Sequence, residues 1–491
     1  MAALYLDIAH QLARTIQDGL VKPGDSLPSL RQFSQSQGVS LMTALAAYRH
    51  LEDIGLVAAV PRSGYRVLPN HVAPLIHPAI LHSRLTSSST QRADIISQLF
   101  LATADPAITP LGFGCPSPSL FPLSGLRKVT RELLNSRKDI WVTYSTPPGC
   151  AELRRQIARR LQARGMDIGE DEVLLTAGGM EALSLSLRLL ADPGDLVAVE
   201  YPTFFGVVDA ARNAGARIIE LPGDPVSGLD PERLAAVCAK RPVRAAVLLP
   251  NFANPTGSLM PKDRRREWMK VLQANGVALV EDDIYGDLAW DGHKPELLCA
   301  TPRADGLPNL LVGSLSKTLL PGGRVGYVAA RSPWIERLAD LKSTSTLANS
   351  TLSEHVAAEC LASGMFERHL RHLVPALRDG VIRLRGCIAR QFPAGTRVSD
   401  PKGGFFLWVE LPRGTDSLAL FRAALKEGVS LAPGCIFSLG GGLDQFLRLN
   451  GAASGDLDQA MAVLGRLAGQ LPDDLGPAAH RQAEDVRSRQ A

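Results

Sequence analysis

The chain is short of several features that would narrow its role at once. Its 491 residues contain no run of eighteen apolar residues, so no membrane-spanning helix is expected. The first residues, Met1-Ala-Ala-Leu-Tyr-Leu-Asp7, carry neither a basic n-region nor a cleavage site, which argues against export. Charge of one sign is scarce too. Lys and Arg number 53 against 49 Asp and Glu, a formal net charge of +4, too small for wholesale binding to nucleic acid or membrane. The seven cysteines (Cys115, Cys150, Cys238, Cys299, Cys360, Cys387, Cys435) are an odd number, scattered, and without metal-ligand spacing. They predict buried thiols in a reducing cytoplasm, and no metal is expected. No internal repeat is present.

What is there divides into four stretches. Length suggests roughly two to four domains, and a composition of 45% hydrophobic and 21% charged residues is ordinary for a globular chain. In residues 1–68, Leu4, Ile8, Leu12 and Ile16 recur at helical spacing. A second helix is expected from Ser29 to a break at Gly38, and a third from Ser40, carrying Ala44, Ala47, Tyr48 and Leu51 on one face. Leu56–Val60 and Tyr65–Leu68, around Pro61-Arg-Ser-Gly64, predict a hairpin. Three helices and a hairpin describe a winged helix-turn-helix, a DNA-binding unit. Residues 69–104, with Pro69, Pro74, Pro78 and Ser87-Ser-Ser-Thr90, predict a linker. From 105 to 470, strand and helix patterns alternate, and apolar runs such as Ala245–Leu249 and Val277–Val280 predict a buried, mostly parallel sheet. Residues 471–491 are polar and predict a disordered tail.

The chemistry centres on Ser314-Leu-Ser-Lys317-Thr-Leu-Leu-Pro-Gly-Gly-Arg324. A lysine between hydroxyls, followed by an arginine after a Pro-Gly-Gly turn, is the layout of a Schiff-base lysine for pyridoxal 5′-phosphate (PLP). Ser314 and Arg324 stand beside it for the phosphate. Such a lysine must lose its proton to attack an aldehyde, so it needs a partly desolvated pocket. The other needs of that cofactor have candidates. Asp282, in Glu281-Asp-Asp-Ile-Tyr285, follows a buried strand and suits the pyridine nitrogen. Tyr285 and Asn254, in Asn254-Pro-Thr-Gly257, can donate to the ring's 3′-oxygen. Phe204 can cover the ring face. Thr176-Ala-Gly178-Gly179-Met180 is a strand-to-helix turn of the kind that holds phosphate on backbone amides. Each alone has a bland explanation as turn, solvated loop or core. Their joint occurrence in one order does not.

With these residues in place, 105–470 resembles the class I/II, fold-type-I aminotransferases. The whole chain resembles the MocR subfamily of GntR-type regulators, the head through Pro23-Gly-Asp-Ser-Leu-Pro-Ser-Leu-Arg31, Gly38-Val-Ser40 and Ala47-Tyr-Arg-His-Leu51. The resemblance implies that Lys317 holds PLP as an internal aldimine and that Asp282, Asn254 and Tyr285 serve the ring. It further implies that Tyr144 reaches a neighbouring subunit's phosphate, hence a homodimer. Arg448, in Phe446-Leu-Arg-Leu-Asn450, resembles the arginine that clamps a substrate carboxylate. The chain departs from the pattern in three places. Gly179 and Met180 stand where relatives often have a hydroxyl or amide, Phe204 where many have tyrosine, and Leu41 and Met42 where the recognition helix often has arginine. The head to residue 75 has six basic and five acidic residues, net +1, so the electrostatic share of DNA binding is small per head. Arg31, Ser40, Thr43, Arg62 and Gly64 are the expected DNA contacts. Two functions follow: a cytoplasmic, PLP-dependent transcriptional regulator that senses a small amino compound, and, as the alternative, a working aminotransferase with an accessory DNA-binding head. A catalytically dead scaffold fits poorly with an intact lysine constellation.

Overall fold

Local capping chemistry sets out the head. The computed structural model of the protein describes residues 2–17, 21–22, 24–53, 56–60, 64–68, 89–224 and 228–471. Ala2–Gln17 forms the first helix, and Ile8, Ala9, Ala13 and Ile16 are buried along one face. Ser29 caps the second helix, Leu30–Gln37. Its hydroxyl accepts from the Gln32 amide and the Gln32 side chain accepts from the Ser29 amide, so two otherwise orphaned donors are satisfied. Gly38 ends the helix at φ 64°, a left-handed conformation that a Cβ disfavours. Ser40 then accepts from the Thr43 amide at 3.0 Å and opens the third helix, Leu41–Asp53. Strands Val57–Val60 and Gly64–Val67 pair antiparallel; residues 61–63 of the turn lie outside the described residues. Ala44, Ala47, Tyr48 and Leu51 fill the head's core, and the Tyr48 hydroxyl donates to the Pro28 carbonyl at 3.0 Å.

The stretch expected to be a linker holds a helix. Residues 69–88 lie outside the described residues, but Ser89–Leu101 is helical. Ile95 and Leu99 are buried in the body's core, and Arg92 pairs with Asp209. The helical spacing of Ile95, Ile96 and Leu99 carries meaning only once the body offers a surface to cover. Residues 472–491 of the expected tail also lie outside the described residues.

The body is built on an eight-stranded sheet. Its order is Val173–Thr176, Gly326–Ala329, Asn309–Ser314, Ala278–Asp282, Ala245–Leu248, Leu196–Tyr201, Arg217–Asp224, Gly228–Leu229. The inner strands are parallel; Gly326–Ala329 runs antiparallel to both neighbours, and Gly228–Leu229 pairs antiparallel at the edge. The strands Ala245–Leu248 and Ala278–Asp282 are buried at every position, as expected where helices cover both faces. A second, antiparallel sheet orders Arg397–Val398, Phe406–Glu410, Phe446–Asn450 and Ala432–Pro433, which puts Arg448 opposite Trp408.

One long helix, Met365–Gln391, contacts both the head and the body. Its Ile382 packs against the head's core, Arg378 meets the His10 ring at 3.0 Å, and Arg390 donates to the Glu52 carbonyl at 3.4 Å. On its body side, Gly380 lies so close to Gly451 that an added Cβ would stand 1.9 Å from the Gly451 oxygen. Gly451 directly follows the strand of Arg448.

Leu51 is fully buried in the head. Leu51→Ala is expected to cost about 2–5 kcal/mol, lowering the head's calorimetric transition and leaving the body's in place.

Candidate functional site

Strand register brings the chemistry to one edge of the large sheet. Gly326 pairs with both Thr176 and Ser314, and Asp282 pairs with Val312. The carboxyl ends of Val173–Thr176, Asn309–Ser314 and Ala278–Asp282 therefore converge with the amino end of the antiparallel Gly326–Ala329, at the edge where α/β folds take ligands. Lys317 follows directly. Burial pushes its pKa below the usual lysine value; Cys115 and Asp282 oppose that shift, while Arg448 and Arg324 add to it. A lysine that gives up its proton more readily is a better nucleophile.

Of the three acids Glu281, Asp282 and Asp283, two are already engaged. Glu281 accepts from the amides of Leu298 and Cys299 at 3.1 and 2.8 Å. Asp283 is held by Arg164 through both carboxylate oxygens and by Asn251. Asp282 accepts from the Ile284 amide at 3.2 Å and has no ion-pair partner among the described residues. Burial, with the negative charges of Asp283 and Glu281, pushes its carboxyl up to about 7. A protonated heterocyclic nitrogen is the kind of partner that would relieve it.

Arg448 is buried and braced on several sides. Its guanidinium donates to Asn254 Oδ1 at 2.7 Å and to the Gly112 carbonyl at 2.6 Å. It lies 4.3 Å from the Phe406 ring centroid and 5.1 Å from that of Phe437. Its buried Nε has no partner among the described residues, and burial lowers its pKa to about 10. A desolvated guanidinium with a donor to spare suits a carboxylate. Because Asn254 accepts from Arg448 through its oxygen, its amide nitrogen is left to donate. Asn254 also hydrogen-bonds Tyr285, whose hydroxyl is held in its neutral form mainly by burial.

The third corner is an anion cradle. Helix Gly179–Leu190 begins after Gly178, at φ 87°, with no side-chain cap, so its first amides remain available. Arg324 donates to Ser316 Oγ at 3.3 Å and to the Ala177 carbonyl at 3.3 Å. Ser314 Oγ donates to Ser316 Oγ at 3.0 Å. A Cβ on Gly178 would stand 2.4 Å from an Arg324 nitrogen, so only glycine admits this approach. Met180 and Phe204 meet beside it, each within 2.7 Å of where a Cβ on Gly206 would lie.

Lys317, Asp282, Tyr285, Asn254, Ser314, Arg324, Gly178, Gly179, Met180, Phe204 and Arg448 thus stand around one sheet edge. Tyr144 does not. It is 84% exposed and lines a separate cavity of about 430 Å³. In the head, Arg31 is exposed on the second helix and Gly64 starts the second wing strand, while Arg62 lies outside the described residues. Ser40 and Thr43 hydroxyls bond each other at 2.8 Å, so the start of the recognition helix presents Leu41 and Met42, 48% and 71% exposed. Four further residues contribute, of which the sequence pointed only to Ser316, a hydroxyl flanking the lysine. Cys115 faces the charges of Lys317 and Arg324, and Ser316 links Ser314 to Arg324. Glu200, a buried carboxyl pushed up to about 8 mainly by burial, sits near Asp282. Arg164 holds Asp283.

A half-buried lysine with a lowered pKa, a buried carboxylate with no ion-pair partner among the described residues, an anion cradle and a buried arginine meet at the carboxyl ends of a parallel sheet, the groups that a PLP site calls for; a winged helix-turn-helix precedes them. Comparison with known proteins agrees on both parts. Residues 119–467 match the family model "Aminotransferase class I and II", and residues 4–67 match "Bacterial regulatory proteins, gntR family". The chain belongs to the class I and II aminotransferase family, and its regulatory head makes it a GntR-type regulator of the MocR kind. It is 35% identical to the HTH-type transcriptional regulator YdcR of Escherichia coli K12 over 94% of this chain and 98% of that one. It is 28% identical to the HTH-type pyridoxine biosynthesis transcriptional regulator PdxR of Corynebacterium glutamicum over 74% of each chain. Among solved structures, the α-aminoadipate aminotransferase LysN of Thermus thermophilus, complexed with N-(5′-phosphopyridoxyl)-L-leucine, is similar with a TM-score of 0.71. It is 30% identical, with 79% of this chain and 99% of that one covered. No helix among the described residues is long and apolar enough to cross a membrane.

Two outcomes test the geometry. A Cβ at Gly326 would lie 2.5 Å from the Gly178 carbonyl carbon, so Gly326→Ala is expected to weaken PLP binding by about tenfold or more, read by fluorescence titration. Asp282 has a folded pKa raised from the ordinary 3.8 to about 7, so the cofactor-free fold loses stability as pH rises through that window and carries the full cost above it. Asp282→Asn is therefore expected to raise the Tm of the cofactor-free protein at about pH 8, to leave it nearly unchanged at about pH 4, and to weaken PLP binding at both.

Proposed function

We propose that the chain is a PLP-dependent DNA-binding transcriptional regulator whose body senses a small amino compound. Lys317 is the attachment point, Asp282 the partner of the pyridine nitrogen, and Asn254 and Tyr285 the donors to the 3′-oxygen. Ser314, Arg324 and the amides of Gly178, Gly179 and Met180 take the phosphate, and Phe204 covers the ring. When bound, PLP supplies an electrophilic carbon and an electron sink. Arg448 orients the amino compound by its carboxylate, and Lys317 holds or moves the proton at its Nζ. Tyr144, exposed and away from its own site, reaches the phosphate bound by a second copy in a homodimer. The head, with Arg31, Ser40, Thr43, Arg62 and Gly64, reads double-stranded DNA, a role that belongs in the cytoplasm. Residues 1–68 and 105–470 are the two working domains, joined through 69–104.

The observation that carries this reading is the helix Met365–Gln391, which joins the head's core to the backbone beside Arg448. A ligand alters DNA binding only if it binds two arrangements of the heads with different affinity. A carboxylate on Arg448 replaces or adds to its contacts with Asn254 and Gly112, and any shift there bears on Gly451 and thus on Gly380. The second reading, a working aminotransferase, is favoured by the lowered pKa of Lys317 and predicts slow turnover beside regulation.

Lys317→Ala is expected to lose the visible absorption band of the cofactor-loaded protein and to keep its affinity for selected duplex DNA. Its DNA affinity should no longer respond to amino acids. If amino acids shift the DNA affinity of Lys317→Ala as they do that of the parent protein, the sensing role is wrong. Sustained conversion of an amino acid and a 2-oxo acid by the parent protein would establish the enzyme reading.

A further inference from the structure

The cavity beside Tyr144 holds a set of donors that the PLP site does not use. Cys150 stands at the start of helix Ala151–Gln162, Glu152 lies in its first turn, and His355 comes from helix Thr351–Ala362. Cys150 Sγ lies 3.1 Å from Glu152 Oε2 and 3.4 Å from His355 Nδ1. The three donor atoms all lie within 4.8 Å of one another. Cys150 is buried, His355 half-buried and Glu152 exposed. The set therefore opens from the core onto a cavity of about 430 Å³ whose wall includes Arg137, Asp139, Thr143 and Tyr144.

We propose that Cys150, Glu152 and His355 form a binding site for a divalent transition cation of the Zn²⁺ class. Zn²⁺ binds thiolate sulfur at about 2.3 Å and imidazole nitrogen or carboxylate oxygen at about 2.0–2.2 Å. A tetrahedron with those bond lengths separates sulfur from nitrogen or oxygen by about 3.5 Å. The sulfur's two separations, 3.1 and 3.4 Å, are already close to that, so little rearrangement is needed. One thiolate, one imidazole and one carboxylate leave the fourth position for water, facing the cavity. The charge around the sulfur also suits a cation. The carboxylates of Glu152, 3.1 Å from the sulfur, and Glu354, which accepts from the Cys150 amide, stand beside it.

Arg137 is the built-in competitor. Its Nη1 lies 3.0 Å from His355 Nε2, and it approaches Glu152 at 4.0 Å. An imidazole bound to metal through Nδ1 carries its proton on Nε2, which cannot face a guanidinium donor. Arg137, with a side chain 46% exposed, must swing outward as the metal enters. The step balances as loss of the Cys150 S–H proton to solvent, release of waters from the hydrated ion, and formation of one metal–sulfur, one metal–nitrogen and one metal–oxygen bond. The site lies at the root of the Tyr144 segment, which Glu354 braces by accepting from the Cys150 amide at 2.9 Å and from Ser145 Oγ.

The test is anaerobic Co²⁺ titration of the reduced full-length protein. The expected result is a near-ultraviolet sulfur-to-cobalt charge-transfer band at one Co²⁺ per chain, with about one proton released per ion. The band should vanish in Cys150→Ser and His355→Gln, and Co²⁺ affinity should fall by about tenfold or more in Glu152→Gln, an exposed and structurally mild change. Arg137→Ala should bind Co²⁺ more tightly than the parent, an effect that a merely structural role for these residues does not produce. Unchanged circular dichroism and PLP absorbance certify each variant's fold. Absence of the band in the parent protein, its persistence in Cys150→Ser, or unaltered affinity in Glu152→Gln would each overturn the site.

Discussion

Placing a half-buried lysine and a buried carboxylate in one pocket without pairing them is the constraint on which the rest of the body turns. Lys317 and Asp282 each lose solvation, and each responds by shifting toward its neutral form. Removing a charge from water is expensive unless partners replace it. The chain withholds those partners from Asp282 and supplies them to its neighbours instead: Glu281 takes two backbone amides, and Asp283 takes Arg164 and Asn251. The strand end is rigid, and the one acid in its middle stays available. The anion cradle follows the same rule. Arg324 is spent on one hydroxyl and two carbonyls with long bonds of 3.3 to 3.5 Å, contacts weak enough to yield to a phosphate.

Arg448 links that pocket to the remainder of the molecule. It belongs to the smaller sheet, yet it bonds Asn254 of the large domain and Gly112 near the first part of the body. Its strand continues into Gly451, against which the helix Met365–Gln391 packs, and that helix sets Ile382 against the head's core. Close glycine contacts transmit displacement well because no flexible side chain lies between the two backbones. A regulator needs such a route and an enzyme alone does not, which is why the fusion weighs more than any single residue of the site.

Much of this was legible beforehand. The head's capping serines, the break at Gly38 and the buried face of the third helix follow from local chemistry, and the structure repeats them residue for residue. The sheet's buried strands announced themselves by unbroken apolar runs. The helix Ser89–Leu101 was hidden because a serine- and threonine-rich start resembles a spacer, and its apolar face is short. Glu200 and Cys115 carried no pattern at all; what makes them notable is the charge that the fold places beside them.

The lysine motif, the arginine that follows it and the glycine turn were determined by the sequence itself. Each is a short-range arrangement, in which turn geometry and residue spacing decide where side chains go. Only the tertiary structure decided that Arg448 meets Asn254, that Asp282 keeps a single backbone amide while Glu281 takes two and Asp283 takes Arg164, and that His355 closes on Cys150 from another helix. Those meetings depend on which faces of distant segments are buried against each other. That is settled by packing of the whole chain, since no local periodicity encodes a partner some two hundred residues away.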